Sequence, residues 1–294
     1  MIKTLQTTLK QDKEQFKVPR SVQDIIPIRR LWPDGIFQFG SKYSKTLRFS
    51  DINYAIASKE DKTSMFLGYS ELLNALDTGS TTKITINNKR INRQNFEQDI
   101  LIPPQGDYLD GFRAEYNAML LDKVTDSSNS VVQERYITLS AHKKNIEEAR
   151  TFFDRTVNDV TSRLNHMDSR CEELGAVERL RVLHDFYRVG EETQYHPDLR
   201  ECMKQGRSFK DAICPDSMEF KKDHFVMGNK YGRVLFLKEY ASYIKDSMIN
   251  ELTSLNRSLM LSIDIIPVPT DEAVREMQNR LLGVETNVTN WQRR

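Results

Sequence analysis

A ten-residue pattern that occurs twice is the feature that most restricts the fold of this chain. Residues 40–49 read GSKYSKTLRF, and residues 228–237 read GNKYGRVLFL. A short apolar run precedes each copy, and a helical stretch and a further apolar strand follow it. Because a small sheet needs a helix to cover its apolar face, the repeat predicts an α+β fold with duplicated β-β-α-β (ferredoxin-like) units.

The chain divides into four predicted segments on this basis. Residues 1–33 form an extended basic tail, because three prolines discourage helix there. Residues 34–141 form the first α+β unit, and residues 142–216 form a helical segment between the two units. Residues 217–294 form the second α+β unit together with a C-terminal helix.

Local patterns place the elements within these segments. Apolar residues spaced by threes and fours from Ile146 to Leu174 predict one long helix of about eight turns, and Gly175 interrupts it. Residues 190–217 are predicted to be irregular. The other predicted elements are strands at 36–39, 43–49 and 131–141, a strand around Ile84–Ile86, and helices at 59–77, 109–125 and 177–187.

Charge is balanced over the whole chain and uneven along it. Lys and Arg number 43 against 42 Asp and Glu, which excludes a protein that grips nucleic acid over its whole surface. Residues 1–30 carry a net charge of +4. Within them Lys10, Lys13, Lys17 and Arg20 are candidates for contact with an anionic membrane surface. The alternative is a solvated lead-in that binds nothing.

Apolar runs and cysteines indicate the compartment. The longest apolar runs are too short to span a bilayer, and the first residues lack the apolar region of a secretory signal. The cysteines, Cys171, Cys202 and Cys214, are odd in number and widely spaced. This pattern favours a reducing cytoplasm over a disulfide framework.

Three segments approach a known motif without matching it. In Gly35–Lys42 the Lys follows a Ser instead of the second Gly, so a strand is the better interpretation than a phosphate loop. Leu259–Asp264 resembles a magnesium-holding strand but fits an alternating strand. Lys230–Phe236 resembles an RNA-recognition motif, yet Arg233 stands where an aromatic is expected. The sequence therefore predicts no catalytic, cofactor-binding or metal-binding residue, and no tight binding or hydrolysis of ATP.

A family resemblance rests on dispersed segments. They are Ser44–Lys45, Asp51–Tyr54, Tyr240–Asp246 and Pro267–Val274. Through them the chain resembles the amino-terminal region of the conjugation ATPases of type IV secretion systems, the VirB/TrbE/CagE class. The versions carried by integrative conjugative elements of Gram-positive bacteria are similar, and the likeness covers about residues 18–294. Family members carry a RecA-like motor after this region, so no catalytic residue transfers to this chain.

The resemblance implies a non-catalytic docking and assembly domain that links the motor to the membrane channel during DNA transfer. The implied partners are the C-terminal ATPase domain of the parent protein and inner-membrane channel components, with possible self-association and no specific nucleic acid. The implied location is the cytoplasmic face of the cell membrane. One alternative is a stand-alone nucleic-acid-binding α+β module, and another is a hydrolase or nucleotidyl enzyme built from scattered carboxylates.

The C-terminal helix is the candidate partner interface. Pro269 and Thr270 mark its start, and its apolar positions recur at steps of three and four as far as Trp291. We expect Val274–Leu281 to pack on the chain's own sheet. Val284, Val288 and Trp291 are expected to be partly exposed, because they would cover the motor or a second copy, and the helix is expected to continue in the natural protein.

Overall fold

The structure is a computed structural model that describes residues 19–52, 54, 56–90, 100–125, 131–191, 195, 197–239 and 247–292. The strands are β1 (Arg30–Leu31), β2 (Phe37–Phe39), β3 (Lys42–Phe49), β4 (Ser80–Arg90), β5 (Val131–His142), β6 (Cys171–Glu173), β7 (Met218–Phe220), β8 (Phe225–Met227), β9 (Lys230–Gly232) and β10 (Leu259–Ile265). The helices are α1 (Val22–Ile25), α2 (Lys59–Asn74), α3 (Asp110–Thr125), α4 (Ile146–His166), α5 (Ala176–Tyr187), α6 (Leu199–Lys204), α7 (Ser247–Thr253) and α8 (Thr270–Gln292).

One antiparallel sheet organises the fold. Its strand order is β1-β2-β3-β5-β4-β10, and β6 pairs with β3 beyond the end of β2. Since β3 and β4 are each antiparallel to β5, they run parallel to each other, and α2 makes the crossover between them. Helix α4 makes the second crossover, from β5 to β6. A separate small sheet has the order β7-β8-β9.

Helices α2 and α4 cover one face of the main sheet. The buried positions of α4 are spaced by threes and fours: Ala149, Phe153, Val157, Val160 and Leu164. They pack with Leu72 and Leu76 and with strand residues such as Leu47 and Leu139 in one apolar cluster. The side chains of Ser58 and Asn145 accept hydrogen bonds from the first-turn amides of α2 and α4, which fixes where each helix begins.

Helix α5 covers part of the opposite face. There Leu180 packs with Ile26, Ile28, Phe37 and Ile213 in a second apolar cluster. Residues that belong to the predicted extended tail therefore lie in this core. Ser21 begins α1 with a capping box, so the chain is helical and not extended over Val22–Ile25. Of the predicted membrane-surface residues, Lys10, Lys13 and Lys17 lie outside the described part of the chain.

The predicted duplication into two ferredoxin-like units is not confirmed. The second hairpin forms as β8 and β9, but residues 234–237 are not a strand. The apolar strand that follows, β10, pairs with β4 over seven residues and so completes the first sheet. Joining an existing sheet edge buries more apolar surface than an isolated hairpin can. The coarser prediction, an α+β fold with an antiparallel sheet, is confirmed.

The long helix predicted from Ile146 to Leu174 is shorter than expected. Helix α4 ends at His166, and Asp168 has a φ of 61° that no continuing helix adopts. The amide of Arg170 donates to Ser50 Oγ at 2.8 Å, and Ser169 Oγ donates to Ser50 O at 2.7 Å. These bonds draw the chain onto the edge of β3 as β6. Cys171 and Leu174 thus follow helical spacing by coincidence. Cys171 is the first residue of β6, and Leu174 follows the strand directly.

Most of the remaining element predictions are confirmed. The structure has the predicted strands in β2, β3, β4 and β5 and the predicted helices in α2, α3 and α5, with ends shifted by a few residues. The segment predicted to be irregular contains the short helix α6 and a 3₁₀ turn at Phe209–Ala212. The predicted polar loop at 126–130 lies outside the described residues.

One buried hydroxyl offers a stability test. Thr82 is 0% exposed on the core-facing side of β4, and its Oγ1 has no hydrogen-bond partner among the residues that the structure describes. An unsatisfied buried hydroxyl costs free energy, so Thr82→Val is expected to raise the free energy of unfolding by about 1 kcal/mol. Thr46→Val is the control, because Thr46 Oγ1 lies 2.9 Å from Thr138 Oγ1, and it should destabilise the protein. Urea unfolding measures both, and a destabilised Thr82→Val variant would contradict the argument.

Candidate functional site

A network of charged side chains lies between α5 and the sheet. Lys89 Nζ lies 2.8 Å from Glu134 Oε2 and 2.8 Å from Asp185 Oδ2. Tyr136 OH donates to Glu134 Oε2 at 2.6 Å. Arg48 approaches Glu134 at 3.8 Å and also pairs with a further carboxylate. The network thus joins β3, β4 and β5 to helix α5.

The pKa shifts in this network keep each group in its ordinary charge state. Burial opposes ionisation of Glu134 and Asp185. Hydrogen bonds with Lys89 and Tyr136 outweigh it at Glu134, and hydrogen bonds with His184 and Lys89 outweigh it at Asp185, so both pKa values are lowered. Burial and the Glu134 carboxylate raise the pKa of Tyr136 well above its usual range. A general acid or base needs a pKa near the working pH, and these shifts move away from neutrality. We therefore interpret the network as a structural clamp.

Metal and thiol chemistry receive no support from the described residues. Within the described ranges, no three His, Cys, Asp or Glu side chains lie together as a metal site would require. Burial raises the pKa of Cys171 and of Cys214, which keeps both as thiols. His184 is buried against Tyr195, with ring centroids 5.0 Å apart.

Two of the three segments that approach known motifs were interpreted as strands, and both contain strands. Gly35–Lys42 contains β2, a tight turn at Gly40 with a φ of 59°, and the first residue of β3. Leu259–Asp264 lies within β10, where its Ser262 and Asp264 are exposed. Both strand interpretations are confirmed. The lack of ATPase activity remains a prediction.

Helix α8 carries an exposed apolar stripe. Val274 is 49% exposed, Met277 73%, Leu281 59%, Val284 58% and Trp291 82%. At 100° per residue these positions fall within an arc about 100° wide, and they extend over about 26 Å of helix. We call these five residues the α8 stripe. Scattered apolar residues on a surface are ordinary, but a contiguous stripe of this length marks an interaction surface.

The α8 stripe differs from the prediction in its first half. Val274–Leu281 was expected to pack on the chain's own sheet, and that expectation is wrong, because all three apolar positions there are exposed. The apolar face of the sheet is already occupied by α2 and α4. Val284 and Trp291 are exposed as predicted. The side chain of Val288 lies outside the described part of the chain, and Arg20 is exposed near Asp24.

Further exposed apolar residues lie on elements that the sequence interpretation did not single out. Phe66 and Leu67 are exposed on α2, whose buried face is marked by Leu72. Phe112 and Tyr116 are exposed on α3. A signal was present in the sequence of α2, since Phe66 and Leu67 fall on helical positions away from Leu72.

Two of the surface cavities lie between elements of the fold. One of about 670 Å³ lies between α2 and α4 and has a polar lining that includes Asp61, Glu71, Arg163 and His166. The other, of about 440 Å³, lies between the β8–β9 hairpin and the start of β10. Neither brings together a nucleophile, a base and an oxyanion donor in the way an active site requires.

Comparison of the chain with protein-family models and with curated proteins finds no match. Among the described residues, no helix has both the length and the apolar character that a membrane crossing demands.

Proposed function

We propose that the chain is a non-catalytic docking and assembly domain of a conjugative type IV secretion ATPase. The sequence resemblance to the amino-terminal region of that class supports the proposal. Its proposed partners are the ATPase domain of the parent protein and inner-membrane channel components, at the cytoplasmic face of the membrane. The chain itself is proposed to bind no nucleotide cofactor.

The single observation that carries the proposal is the α8 stripe. An amphipathic helix whose apolar face is free fits a hydrophobic groove on a partner through anchors at steps of three and four. The stripe includes Trp291, and tryptophan is enriched among the residues that dominate binding energy at interfaces. A docking role needs such a surface and needs no convergent acid, base or nucleophile.

The strand order also supports a finer proposal about the scaffold. Apart from α3, which lies between β4 and β5, strands β3, β4, β5 and β6 and helices α2 and α4 follow the order β-α-β-β-α-β. The four strands lie in the sheet as β6-β3-β5-β4. We propose that residues 42–173 are one ferredoxin-like unit. The β8–β9 hairpin would then be the remnant of a second unit, and a duplicated origin remains part of the proposal.

Charge substitutions in the α8 stripe test the docking role. We expect Leu281→Glu to weaken binding to the separately produced motor domain of the parent protein at least about tenfold, since a buried unpaired charge costs well over 1.4 kcal/mol. The melting temperature should not change, because Leu281 is exposed. Asn279→Glu is the matched control, since Asn279 is exposed on the opposite side of α8. Calorimetric titration measures the affinity, and equal binding by both variants would contradict the proposal.

The alternative function, a nucleic-acid-binding module, is favoured by the small sheet. Phe220, Tyr231 and Phe236 are exposed there. Residues 218–239 carry five Lys or Arg against three Asp or Glu. Aromatic faces beside basic side chains suit the stacking of single-stranded bases. Salt-dependent binding to single-stranded DNA that Tyr231→Ala abolishes would favour this function over docking.

A further inference from the structure

Within the described part of the chain, strand β10 presents a free edge. Its inner edge pairs with β4 from Leu259 to Ile265. No strand of the described chain pairs with the outer edge of β10. No loop or turn of the described chain forms a backbone hydrogen bond with residues 259–265. A row of unpaired backbone N–H and C=O groups over seven residues is a template for another strand.

The usual protection of a sheet edge is absent from β10. The segment LMLSIDI contains no Lys, Arg, Pro or Gly. Its one charged residue, Asp264, is balanced by Lys83 of the same sheet at 3.5 Å. The other end of the sheet differs, because its edge strands β1 and β6 are only two and three residues long. Natural proteins protect edges to prevent pairing, so an unprotected edge of this length indicates a binding surface.

The segment is complementary to itself. In an antiparallel pair with a two-fold axis at Ser262, Leu259 lies opposite Ile265 of a second copy, and Leu261 lies opposite Ile263. Asp264 lies opposite Met260, so no like charges meet, and Ser262 lies opposite itself. Aliphatic pairs on one face are the unit that stabilises a sheet. A register centred on Asp264 would instead place two carboxylates opposite each other.

We propose that β10 is the interface of a symmetric homodimer in which the two main sheets continue into one another. A two-fold pairing uses the same surface on both copies and therefore closes at two subunits. Ser262 and Asp264, which would lie on the shared polar face, are exposed, and α8 begins only after Pro267 and Pro269. The occupant is a second copy of this chain, and the inference does not rest on the proposed docking function.

Charge variants at the proposed axis test the dimer. By sedimentation velocity at tens of micromolar, the wild-type chain is expected to be dimeric. Ser262→Lys and Ser262→Glu should each be monomeric, because like charges would face each other across the axis. An equimolar mixture of these two variants should restore the dimer as a heterodimer. Ser254→Lys, an exposed position before β10, is the matched control and should stay dimeric.

A cross-link provides a second measurement that does not depend on the stability of the charge variants. Ser262→Cys should form a disulfide-linked dimer on mild oxidation, in which the two peptides that carry the substitution are joined to each other. A monomeric wild-type chain would overturn the proposal, as would a mixture of the Lys and Glu variants that stays monomeric. A dimer that survives Ser262→Lys but is lost in Leu281→Glu would assign self-association to α8 and would also overturn it.

Discussion

Replacement of Arg179 by alanine is expected to lower the free energy of unfolding by about 3–5 kcal/mol. Arg179 is buried under α5, where its Nη1 donates to Gly35 O at 2.6 Å and to Ser44 O at 2.8 Å. Its Nη2 donates to Ser44 Oγ at 3.0 Å, and its guanidinium lies 4.0 Å above the ring of Phe37. Burial lowers the pKa of Arg179 to about 9, so the side chain stays charged at neutral pH.

The size of this effect follows from what alanine leaves behind. The substitution removes donors from carbonyl groups in a buried site and leaves a cavity beside Phe37. The site has little room to collapse, since a Cβ added at Gly35 would lie 2.0 Å from Leu174 O. Gly35 also has a φ of 80°, so the turn that presents its carbonyl to Arg179 is set by glycine.

Urea unfolding at neutral pH measures the loss. Arg181→Ala is the matched control on the same helix, because Arg181 is exposed. Its guanidinium carbon lies 5.6 Å from the centroid of the Tyr195 ring. It should cost less than about 1 kcal/mol. Arg179→Met separates packing from hydrogen bonding, since Met fills much of the volume without donating. A loss for Arg179→Ala that is no larger than the loss for Arg181→Ala would show that the buried bonds contribute little.

The helix that carries Arg179 could be predicted from the sequence, but the hydrogen-bond partners of Arg179 could not. Helix α5 was predictable, because Ala176, Leu180 and Leu183 recur at steps of three and four. Arg179 lies on that same face, three residues after Ala176, which was a signal that its charge would be buried. Its partners Gly35 and Ser44 are more than 130 residues away in sequence. A local sequence pattern cannot predict hydrogen-bond partners that are this far apart in the chain.

The strands illustrate the same limit. The alternation in β5 and β10 predicted strands correctly, because side chains of successive strand residues point to opposite faces. The pairing of β10 with β4 was missed, since it joins residues about 170 positions apart and the repeated pattern favoured a separate unit. Periodicity predicts that an element exists, whereas the choice of its neighbour depends on the burial of the whole chain.

The candidate interface was predicted in part for a similar reason. The apolar spacing in α8 correctly predicted a helix with one apolar face. The spacing of apolar residues cannot distinguish a helix face that packs on the same chain from one that stays exposed. Val274–Leu281 was predicted to be packed and is exposed. The deciding fact is that α2 and α4 already cover the sheet, which is a property of the assembled fold.

Replacement of Lys89 by methionine is expected to cost about 3–5 kcal/mol of stability at neutral pH. Methionine keeps the apolar stem of Lys89 and removes the charge that Glu134 and Asp185 share. Both carboxylates bind the same nitrogen, so without it they are close neighbours of like charge in a site that is mostly shielded from water. Arg48, at 3.8 Å from Glu134, offsets part of the loss. Lys83→Met is the matched control on the same strand, because its pair with Asp264 is half exposed and should be worth less than about 1 kcal/mol.

The pH dependence of stability should differ between the two proteins. In the wild type, burial opposes ionisation, but hydrogen bonds with Lys89 and Tyr136 at Glu134, and with His184 and Lys89 at Asp185, hold the two pKa values below their ordinary 4.5 and 3.8. That stability is therefore present above those values and lost as pH falls through the folded pKa values. Without Lys89, burial and mutual repulsion move both pKa values upward from those of the wild type, so the variant loses less stability than the wild type as pH falls. Its deficit relative to the wild type should shrink as urea unfolding is repeated from pH 7 down toward about pH 4.5. A deficit that stays constant over this range would mean that Lys89 acts through the packing of its stem and not through its charge.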